Sequence, residues 1–485
     1  MDCLLVYPEP TQDSPSIYPA FSIFYVGASL ERAGYDVEYI DLRFDPKSRL
    51  SQALTKNPLC VGVSSMTGYQ LEGAIEVLKK VKNHNADIKT ILGGVHPSLL
   101  PRQCLQERFV DYVVVGEGEE TACELMNYLK NHRNDFQTIN GLAWKKNGDI
   151  IINQPRPPIK PDRWIFPLND KTKRYFRIAV KGGSMVILSS RGCWRRCGFC
   201  YVQAFHKRKW RPMPIDKFEK ELNMYLSELS FNTASLGDEN IGKKIKRIQG
   251  LSRVLRERAI EWHTGISCDC VSKEIIKTME WGGCKSFEVG VESGSPRVLN
   301  DVICKDYAEG VETIKKSVKI IAKSDISPMY SFMAGLPTET KAELKMSMDL
   351  ADWIKKVDDK ARASFFVYTP YPETPMYKMA IEEGFDPPKN MQDWSKFSLS
   401  HALNPKIENL YYIAGLTFRK DNIKRNFPGV NRLRILPFEF TAYARWKTRL
   451  LDHYLTKSMV KNIIKKAVER RNVEIEQIIK EELSE

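Results

Sequence analysis

Three closely spaced cysteines are the residues of this sequence most able to do chemistry. Cys193, Cys197 and Cys200 form a C-x3-C-x2-C pattern. Three thiolates can hold three irons of a 4Fe-4S cluster and leave the fourth iron open to a ligand, and open positions are typical of catalytic metal sites. The spacing therefore indicates a catalytic iron-sulfur site.

A zinc site is the alternative that the residue types allow. His206 would be its fourth ligand, but neither its distance from Cys200 nor the C-x3-C opening fits the usual zinc-finger spacing. The chain has eleven cysteines in 485 residues. That number is too small for a disulfide scaffold, and the crowding of three of them favours a reduced compartment.

Apolar runs indicate the elements that would position the cysteines. Short apolar runs alternate with helical stretches in the middle of the chain, which predicts six βα units and a partial (β/α)6 barrel over 185–400. The cysteines follow the first run, so we expect them at the carboxyl end of a barrel strand, where active sites of this fold lie. The predicted strands are 186–189, 233–236, 262–266, 286–291, 328–333 and 364–368.

The first 135 residues show a similar alternation of apolar runs and amphipathic stretches. It predicts an α/β, doubly wound (Rossmann-like) domain in which ligands bind beyond the carboxyl ends of parallel strands. Residues 136–184 are rich in proline and charge, which predicts a linker, and residues 401–485 predict a basic helical C-terminal domain. The predicted N-terminal strands are 3–6, 37–40, 60–64, 90–92 and 112–115.

The cysteine motif, with Phe199 as its aromatic residue, resembles the signature of the radical S-adenosylmethionine superfamily. In that family the open iron chelates the amino and carboxylate groups of S-adenosylmethionine, whose reductive cleavage gives a deoxyadenosyl radical. The resemblance implies that Cys193, Cys197 and Cys200 are metal ligands and catalytic, and that Phe199 and Tyr201 lie beside the cofactor. It also implies an external electron donor of the flavodoxin or ferredoxin type.

Further motifs of that family match later strand ends. An acidic segment after the second strand resembles the part that binds the ammonium group, with a helix cap as the alternative. A carboxylate and a hydroxyl after the fourth strand resemble the ribose contacts, with a plain turn as the alternative. A glycine after the fifth strand would let the backbone approach adenine. The residues so implied are Gly237, Asp238, Glu239, Glu292, Ser293 and Gly335.

The segment after the sixth strand, 368–375, departs from the family pattern. It has Glu373 where the family pattern has glycine, which puts the local turn shape in question. Asp269, Tyr201 and Tyr368 are candidates to orient a substrate because of their positions at strand ends.

The N-terminal strand ends resemble the cobalamin-binding domains of class B radical S-adenosylmethionine methyltransferases. Glycines there would let the backbone approach the corrin and its nucleotide tail, and hydroxyls could bind the tail. No Asp-x-His-x-x-Gly motif marks a lower axial ligand, so the segment 64–71 would cover the lower face, with Met66, Tyr69 or a water nearest to cobalt. His96 fits a packed loop residue better than a ligand. The residues implied are Ser64, Ser65, Thr67, Tyr69, Gly93, Gly94, His96, Pro97, Gly116, Glu117 and Gly118.

This resemblance implies a cobalamin-dependent methyltransferase that acts on an unactivated sp3 carbon. A peptide or protein substrate, such as a residue of methyl-coenzyme M reductase, is one expectation. The alternative is ring formation, rearrangement or carbon-carbon coupling on a lipid or tetrapyrrole. A methylthiotransferase would need three N-terminal cysteines for a second cluster, whereas Cys3, Cys60, Cys104 and Cys123 include positions inside predicted strands or helices.

The net charge of +14 would suit nucleic acid, anionic lipid or an acidic protein, but it also fits a solvated surface, and no nucleic-acid motif accompanies it. No apolar run is long enough for a membrane span, and the N-terminus lacks a signal-peptide pattern, which predicts a cytoplasmic protein.

Overall fold

The computed structural model describes residues 1–9, 17–183, 185–242 and 244–397, together with 446, 473 and 476–482. The predicted C-terminal helical domain at 401–485 therefore lies almost entirely outside the described residues. None of the helices in these ranges is long and apolar enough to cross a membrane.

The N-terminal domain is built on a twisted sheet whose first five strands are parallel. Their order, β2-β1-β3-β4-β5, is that of a doubly wound fold, as predicted. These strands are almost fully buried apolar runs because helices cover both faces of the sheet. The strands are β1 (Cys3–Tyr7), β2 (Val37–Asp41), β3 (Cys60–Ser64), β4 (Lys89–Gly93) and β5 (Tyr112–Val114).

Helices pack on both sides of this sheet and give it two apolar cores. The first and last helices share one core, which includes Phe24 and Leu125, and the helices between them form the other around Leu78 and Leu105. The helices are α1 (Phe21–Arg32), α2 (Lys47–Leu54), α3 (Tyr69–His84), α4 (Val95–Leu99), α5 (Pro101–Gln106) and α6 (Glu119–Lys130).

Residues 136–184 are more ordered than the predicted linker. Strands β6 (Leu142–Lys146) and β7 (Asp149–Ile152) form a hairpin that extends the sheet in antiparallel fashion, and helix α7 (Lys173–Lys181) follows. The hairpin turns at Asn147 and Gly148, which both have positive φ. An Asn-Gly pair between strands favours a type I′ turn, so this local signal outweighs the proline and charge content around it.

The second domain is the predicted partial barrel, since within its described residues six strands form one parallel sheet in the order β15-β14-β13-β12-β11-β8. A short antiparallel pair, β9 and β10, lies beside the first strand. The strands are β8 (Met185–Ile187), β9 (Ser190–Arg191), β10 (Arg211–Pro212), β11 (Thr233–Leu236), β12 (Glu261–Ser267), β13 (Cys284–Glu292), β14 (Ser327–Ala334) and β15 (Arg362–Val367).

Helices connect the barrel strands, and the last of them returns to the N-terminal domain. There Trp394 is buried in the core beside α3, with its ring 5.9 Å from that of His96. This contact joins the end of the barrel domain to the N-terminal domain. The helices are α8 (Tyr201–His206), α9 (Ile215–Glu228), α10 (Ile245–Glu257), α11 (Lys273–Trp281), α12 (Val311–Ile321), α13 (Lys341–Val357), α14 (Pro375–Glu382) and α15 (Met391–Ser395).

Candidate active site

The loop that carries the three cysteines is fixed by backbone hydrogen bonds to two other parts of the barrel. The amide of Gly198 donates to the carbonyl of Ile303 at 2.7 Å, and its carbonyl accepts from the amide of Met376 at 2.9 Å. A Cβ at Gly198 would lie 2.9 Å from the carbonyl oxygen of Val302, so only glycine allows this close approach. The cysteines are therefore held by the backbone before any ligand binds.

Cys193, Cys197 and Cys200 line one cavity of about 470 Å³, which we call the cysteine cavity. It lies at the carboxyl ends of the barrel strands, as the sequence predicts. No three His, Cys, Asp or Glu side chains in the described ranges converge on a point that could hold a single metal ion. A cubane cluster does not require such convergence, because each thiolate binds a different iron.

Two basic side chains lie in the wall of the cysteine cavity, and the sequence analysis missed both. Lys305 is fully buried, and its Nζ lies 2.8 Å from Oε1 of Glu292. Burial disfavours the ammonium, but Glu292 and other neighbours raise the pKa of Lys305 well above its usual value. Arg195 forms an ion pair with Asp269, the predicted substrate-orienting residue. Both cations lie in the same cavity lining as the three thiols, which would be anionic as cluster ligands, although each cation is also paired with a carboxylate.

The two adjacent carboxylates of the acidic segment have different partners. Asp238 accepts from the amides of Ser189 and Ser190 at 2.7 and 2.9 Å and from Oγ of Ser189 at 2.5 Å. It is buried, which raises its pKa. Because its acceptor sites are used to hold the start of the cysteine loop, Asp238 is placed as a structural residue.

Glu239 points toward the ligand space instead. Its Oε2 accepts from the amide of Gly192 at 3.0 Å, and its Oε1 lies 3.4 Å from Nε2 of His206. Burial opposes ionisation, but the interactions with His206 and Gly192 hold the pKa of Glu239 below its usual value. A carboxylate accepts about four hydrogen bonds, so this anion keeps capacity for a cationic ligand.

The remaining residues predicted to contact S-adenosylmethionine divide into two groups. Phe199 and Glu292 line the cysteine cavity, like Asp238 and Glu239. The others lie outside its lining: they are Tyr201, Gly237, Ser293 and Gly335.

Three of these outlying residues have local structural roles. Ser293 is buried, and its hydroxyl forms hydrogen bonds with the hydroxyl of Ser347 and the amide of Ser295. These contacts form the plain turn that the sequence analysis gave as the alternative to a ribose contact. The amide of Gly335 donates to Glu339, and Tyr201 packs on Tyr371 with the ring centroids 5.7 Å apart.

The sixth-strand segment keeps a glycine-like turn despite its substitution. Glu373 has φ of 60°, in the left-handed region that favours glycine. Tyr368 is buried in an apolar cluster with Leu336 and Met376 rather than in the cavity wall. The turn shape in question is therefore retained, whereas Tyr368 is not placed to orient a substrate.

A second cavity of about 260 Å³ opens at the strand ends of the N-terminal domain, and we call it the N-terminal cavity. Its walls are mainly apolar side chains of β1, β3, β4, α1 and α6, such as Leu5, Ile91 and Met126. Barrel residues close it on the other side, and one of them, Glu239, also lines the cysteine cavity. The predicted residues in its lining are Ser64, Gly93, Gly94, Gly116, Glu117 and Gly118.

The glycine loops around the N-terminal cavity are closely packed. Gly94 has φ of 98°, and a Cβ there would lie 2.6 Å from the carbonyl oxygen of Ser65. Oγ of Ser98, which the sequence analysis missed, donates to the carbonyl of Gly94 at 2.6 Å and accepts from the amide of Gly116 at 2.9 Å. The two glycine loops are thus joined into one strand-end surface.

The other residues predicted to contact cobalamin lie outside the cavity lining: they are Ser65, Thr67, Tyr69, His96 and Pro97. Nδ1 of His96 lies 3.1 Å from Oγ1 of Thr67. His96 is fully buried, and burial lowers its pKa to about 3. It is a neutral packed side chain, as its sequence context suggests.

Glu117 has protein partners from the other domain. Both Nη atoms of Arg211 lie 2.8 Å from its carboxylate, and Nη1 of Arg191 lies 3.3 Å from it. Burial alone would raise the pKa of Glu117, but the two arginines hold it below its usual value. Glu119 adds a 2.6 Å contact to Arg191. These carboxylates therefore bind the barrel as well as lining the N-terminal cavity.

The N-terminal cysteines do not form a second cluster site. Cys3 and Cys60 are buried on adjacent strands in one core of the sheet, whereas Cys104 is buried in the other core. The sheet therefore separates Cys104 from Cys3 and Cys60, whereas a methylthiotransferase would need three N-terminal cysteines together.

Comparison with known protein families supports both the N-terminal domain and the barrel domain. Residues 11–126 match the B12 binding domain family, and residues 187–351 match the radical SAM superfamily. An uncharacterized methyltransferase of Pyrococcus horikoshii is 28% identical over 86% of this chain and 92% of its own length. An anaerobic magnesium-protoporphyrin IX monomethyl ester cyclase of Cereibacter sphaeroides is 26% identical over 80% of this chain and 64% of its own length.

Two solved structures share the fold. The radical S-adenosylmethionine methyltransferase TsrM of Kitasatospora setae superposes with a TM-score of 0.67 at 18% identity, covering 79% of this chain and 76% of TsrM. The cobalamin-dependent radical enzyme OxsB superposes with a TM-score of 0.68 at 18% identity, covering 100% of this chain and 84% of OxsB.

A B12 binding domain followed by a radical SAM domain defines the class of protein. The chain is a radical SAM enzyme that carries a B12 binding domain, and a methyltransferase is among the relatives that it matches over most of its length. The residues present fit the groups that such enzymes use. Three thiols share a cavity with a buried lysine, which suits an anionic cluster, and Gly93 and Gly116, where an added Cβ would have no atom within 4 Å, leave open space at the N-terminal strand ends.

We predict that Gly94→Ala disturbs the strand-end surface and that Gly34→Ala does not. Both glycines have positive φ, but Gly34 has no atom within 4 Å of the added Cβ. Gly94→Ala should therefore lose about 1 kcal/mol or more of unfolding free energy beyond the cost at Gly34. Urea unfolding measures this difference, and absorbance after cobalamin addition measures binding. Equal costs at the two sites would contradict the close approach.

We predict that substitutions of the two adjacent carboxylates, Asp238 and Glu239, have different effects on stability and on ligand binding. Asp238→Asn keeps one oxygen for the amides of Ser189 and Ser190 but replaces the oxygen that accepts from Oγ of Ser189 with an NH2 donor, and it should lower the unfolding free energy by about 1–3 kcal/mol. Glu239→Gln should leave stability nearly unchanged and weaken S-adenosylmethionine binding. Thermal unfolding and equilibrium dialysis distinguish the two effects. The reverse pattern would show that the roles are exchanged.

Lys305 is expected to raise the reduction potential of a cluster in the cysteine cavity. Reduction adds negative charge, which a buried ammonium stabilises. Lys305→Met should therefore shift the midpoint potential to a more negative value. Lys305→Arg keeps the charge and should have a midpoint potential close to that of the wild type. Redox titration followed by electron paramagnetic resonance gives the potential. The exposed Lys323→Met is the control, and an unchanged potential in Lys305→Met would refute the role.

Proposed function

We propose that this enzyme transfers a methyl group to an unactivated carbon of its substrate at the junction of the two cavities. The observation that carries the proposal is that Glu239 lines both cavities, one with three cysteines and the other at the strand ends of a B12 binding domain. A substrate there would face both cofactors at once. This is the geometry that a reaction with a radical step and a methyl donor requires.

Each group has defined residues to hold it. Cys193, Cys197 and Cys200 would bind a 4Fe-4S cluster, and Glu239 would bind the ammonium of S-adenosylmethionine. The loops of Gly94 and Gly116 would approach the corrin of cobalamin. When bound, the cluster and S-adenosylmethionine supply a carbon-centred radical, and cobalamin supplies the methyl group.

The protein's own residues position these groups and exclude water. Asp238 fixes the start of the cysteine loop through the amides of Ser189 and Ser190. The apolar walls of the N-terminal cavity exclude water from the cobalamin side. Abstraction of hydrogen from an sp3 carbon needs no general base, so no catalytic acid or base has to be assigned.

A peptide or protein, such as a residue of methyl-coenzyme M reductase, is the substrate class that we propose. The basic surface of the chain, with a net charge of +14, would attract an acidic macromolecule. The electron donor would be a flavodoxin or ferredoxin. The oxygen-sensitive cluster needs a reducing compartment, which the cytoplasm provides.

Ring formation or carbon-carbon coupling on a lipid or tetrapyrrole is the second candidate. It is favoured by the similarity to the cyclase of Cereibacter sphaeroides, whose name describes a reaction on a tetrapyrrole. Both candidates share the radical step and differ in the products. S-adenosylhomocysteine accompanies methylation, so its formation in step with substrate turnover distinguishes them.

The decisive experiment is anaerobic purification and reconstitution, followed by spectra, iron analysis and product assay. One cluster corresponds to about four irons per chain. We expect corrin absorbance together with deoxyadenosine and S-adenosylhomocysteine release. Formation of S-adenosylhomocysteine without bound corrin would exclude the cobalamin route.

Cys197→Ala is expected to abolish deoxyadenosine formation, because a cluster needs all three thiolates to be held with one iron open. Cys123→Ala, which removes a half-buried cysteine of α6, is the matched control and should retain activity. Cleavage of S-adenosylmethionine by Cys197→Ala at the rate of the control would refute the site assignment.

A further inference from the structure

A continuous series of polar side chains joins the N-terminal domain to the wall of the cysteine cavity. Its members are Glu117 on the loop before α6, Arg211 on β10, His206 at the end of α8, and Glu239 after β11. The side chains of Glu117, Arg211 and His206 are each 9–11% exposed, so water does not screen them effectively. These three side chains therefore cross the domain interface away from bulk solvent, whereas Glu239, at the end of the series, is 28% exposed.

The chemistry of arginine determines how the series is hydrogen-bonded. Nη2 of Arg211 lies 2.9 Å from Nδ1 of His206. Arginine has donors only, so Nδ1 must accept and the proton of the neutral ring lies on Nε2. That proton faces Oε1 of Glu239, which is 3.4 Å away. The carboxylate of Glu117 thus orients Arg211, Arg211 fixes the His206 tautomer, and the Nε2–H of His206 is directed to the contact with Glu239.

The backbone next to the cysteines is built around the same histidine. Gly192, which precedes Cys193, has φ of 79°, and a Cβ there would lie 2.3 Å from the carbonyl oxygen of Lys209 and 3.1 Å from Cβ of His206. The amide of Gly192 donates to the other oxygen of Glu239 at 3.0 Å. Glu239 is thereby held at both oxygens, once by the cysteine loop and once by His206.

We propose that His206 is a positioning residue that orients Glu239 toward the ammonium of S-adenosylmethionine and makes this orientation depend on docking of Glu117. The inference rests on the proposed function, in which Glu239 contacts that ammonium. Without the His206 donor, Oε1 of Glu239 loses its only described partner outside the ligand space, and the carboxylate can rotate. Binding then has to fix a side chain that the native protein holds in advance.

The substitutions are chosen to separate positioning from folding. His206→Leu removes both the acceptor for Arg211 and the donor for Glu239. His206→Gln retains an amide oxygen for Arg211 and an amide N–H for Glu239, so it is the rescue variant. Glu117→Gln weakens the orientation of Arg211 from the other domain. The controls are His84→Asn, on the exposed end of α3, and Glu124→Gln, whose side chain is 45% exposed.

The measurement is the dissociation constant of S-adenosylmethionine by equilibrium dialysis on the anaerobically reconstituted enzyme. A hydrogen bond to a charged group is worth roughly a factor of ten in affinity, so His206→Leu should bind roughly tenfold more weakly. His206→Gln should recover most of the affinity. Iron content, corrin content and melting temperature report folding, and they should be the same for the Leu and Gln variants.

A double-mutant cycle tests the connection to the N-terminal domain. Glu117→Gln should weaken binding by a smaller factor than His206→Leu, and the two effects should not add, because they act through one series. Additive effects would overturn the connection to Glu117. Wild-type affinity in a correctly loaded His206→Leu would overturn the positioning role itself. If the wild-type enzyme does not bind S-adenosylmethionine, the proposed function fails instead.

Discussion

The buried ion cluster of Glu117 with Arg191 and Arg211 is the interaction on which the arrangement of this enzyme depends. Each half is incomplete alone, because the carboxylate belongs to the N-terminal domain and the guanidinium groups belong to the barrel. Removing either partner while the domains stay docked would leave the other charge buried and unpaired, which costs several kcal/mol. The cluster therefore fixes one relative orientation, in which the carboxyl ends of two parallel sheets face each other.

That orientation explains why the two cavities meet. Parallel sheets place their ligands beyond the carboxyl ends of the strands, so two such sheets that face each other create a shared space between their ligands. Glu239 stands at the boundary and is held by Gly192 on one side and by His206 on the other. Trp394, from the last barrel helix, packs into the N-terminal core and adds an apolar contact between the domains.

The sequence predicts the parts of this structure that depend on local patterns. The buried strands are nearly continuous apolar runs, and the cysteine spacing is specific, so both domains and the cluster loop could be foreseen. The hairpin at Asn147 and Gly148 was missed although its turn signal is present, because the surrounding prolines dominated the pattern. The difference between Asp238 and Glu239 could not be foreseen, since it depends on amides 48 and 49 residues away from Asp238. The partners of Glu117 are 74 and 94 residues away.

Buried ion pairs lie in or next to the walls of both cavities, and their energetics show that they provide defined geometry rather than extra stability. Lys305 with Glu292, and Arg211 with Glu117, are buried ion pairs, which are often no more stabilising than apolar side chains of similar volume. Their advantage is directional: a charge-assisted hydrogen bond fixes atoms at a defined distance and angle, whereas apolar contacts tolerate sliding. Charged ligands in either cavity would exert electrostatic forces on the side chains of its wall and would displace those that are not held. Pairing each wall charge with a protein partner keeps Glu239 and the cysteine loop in place, so binding energy is not spent on ordering them.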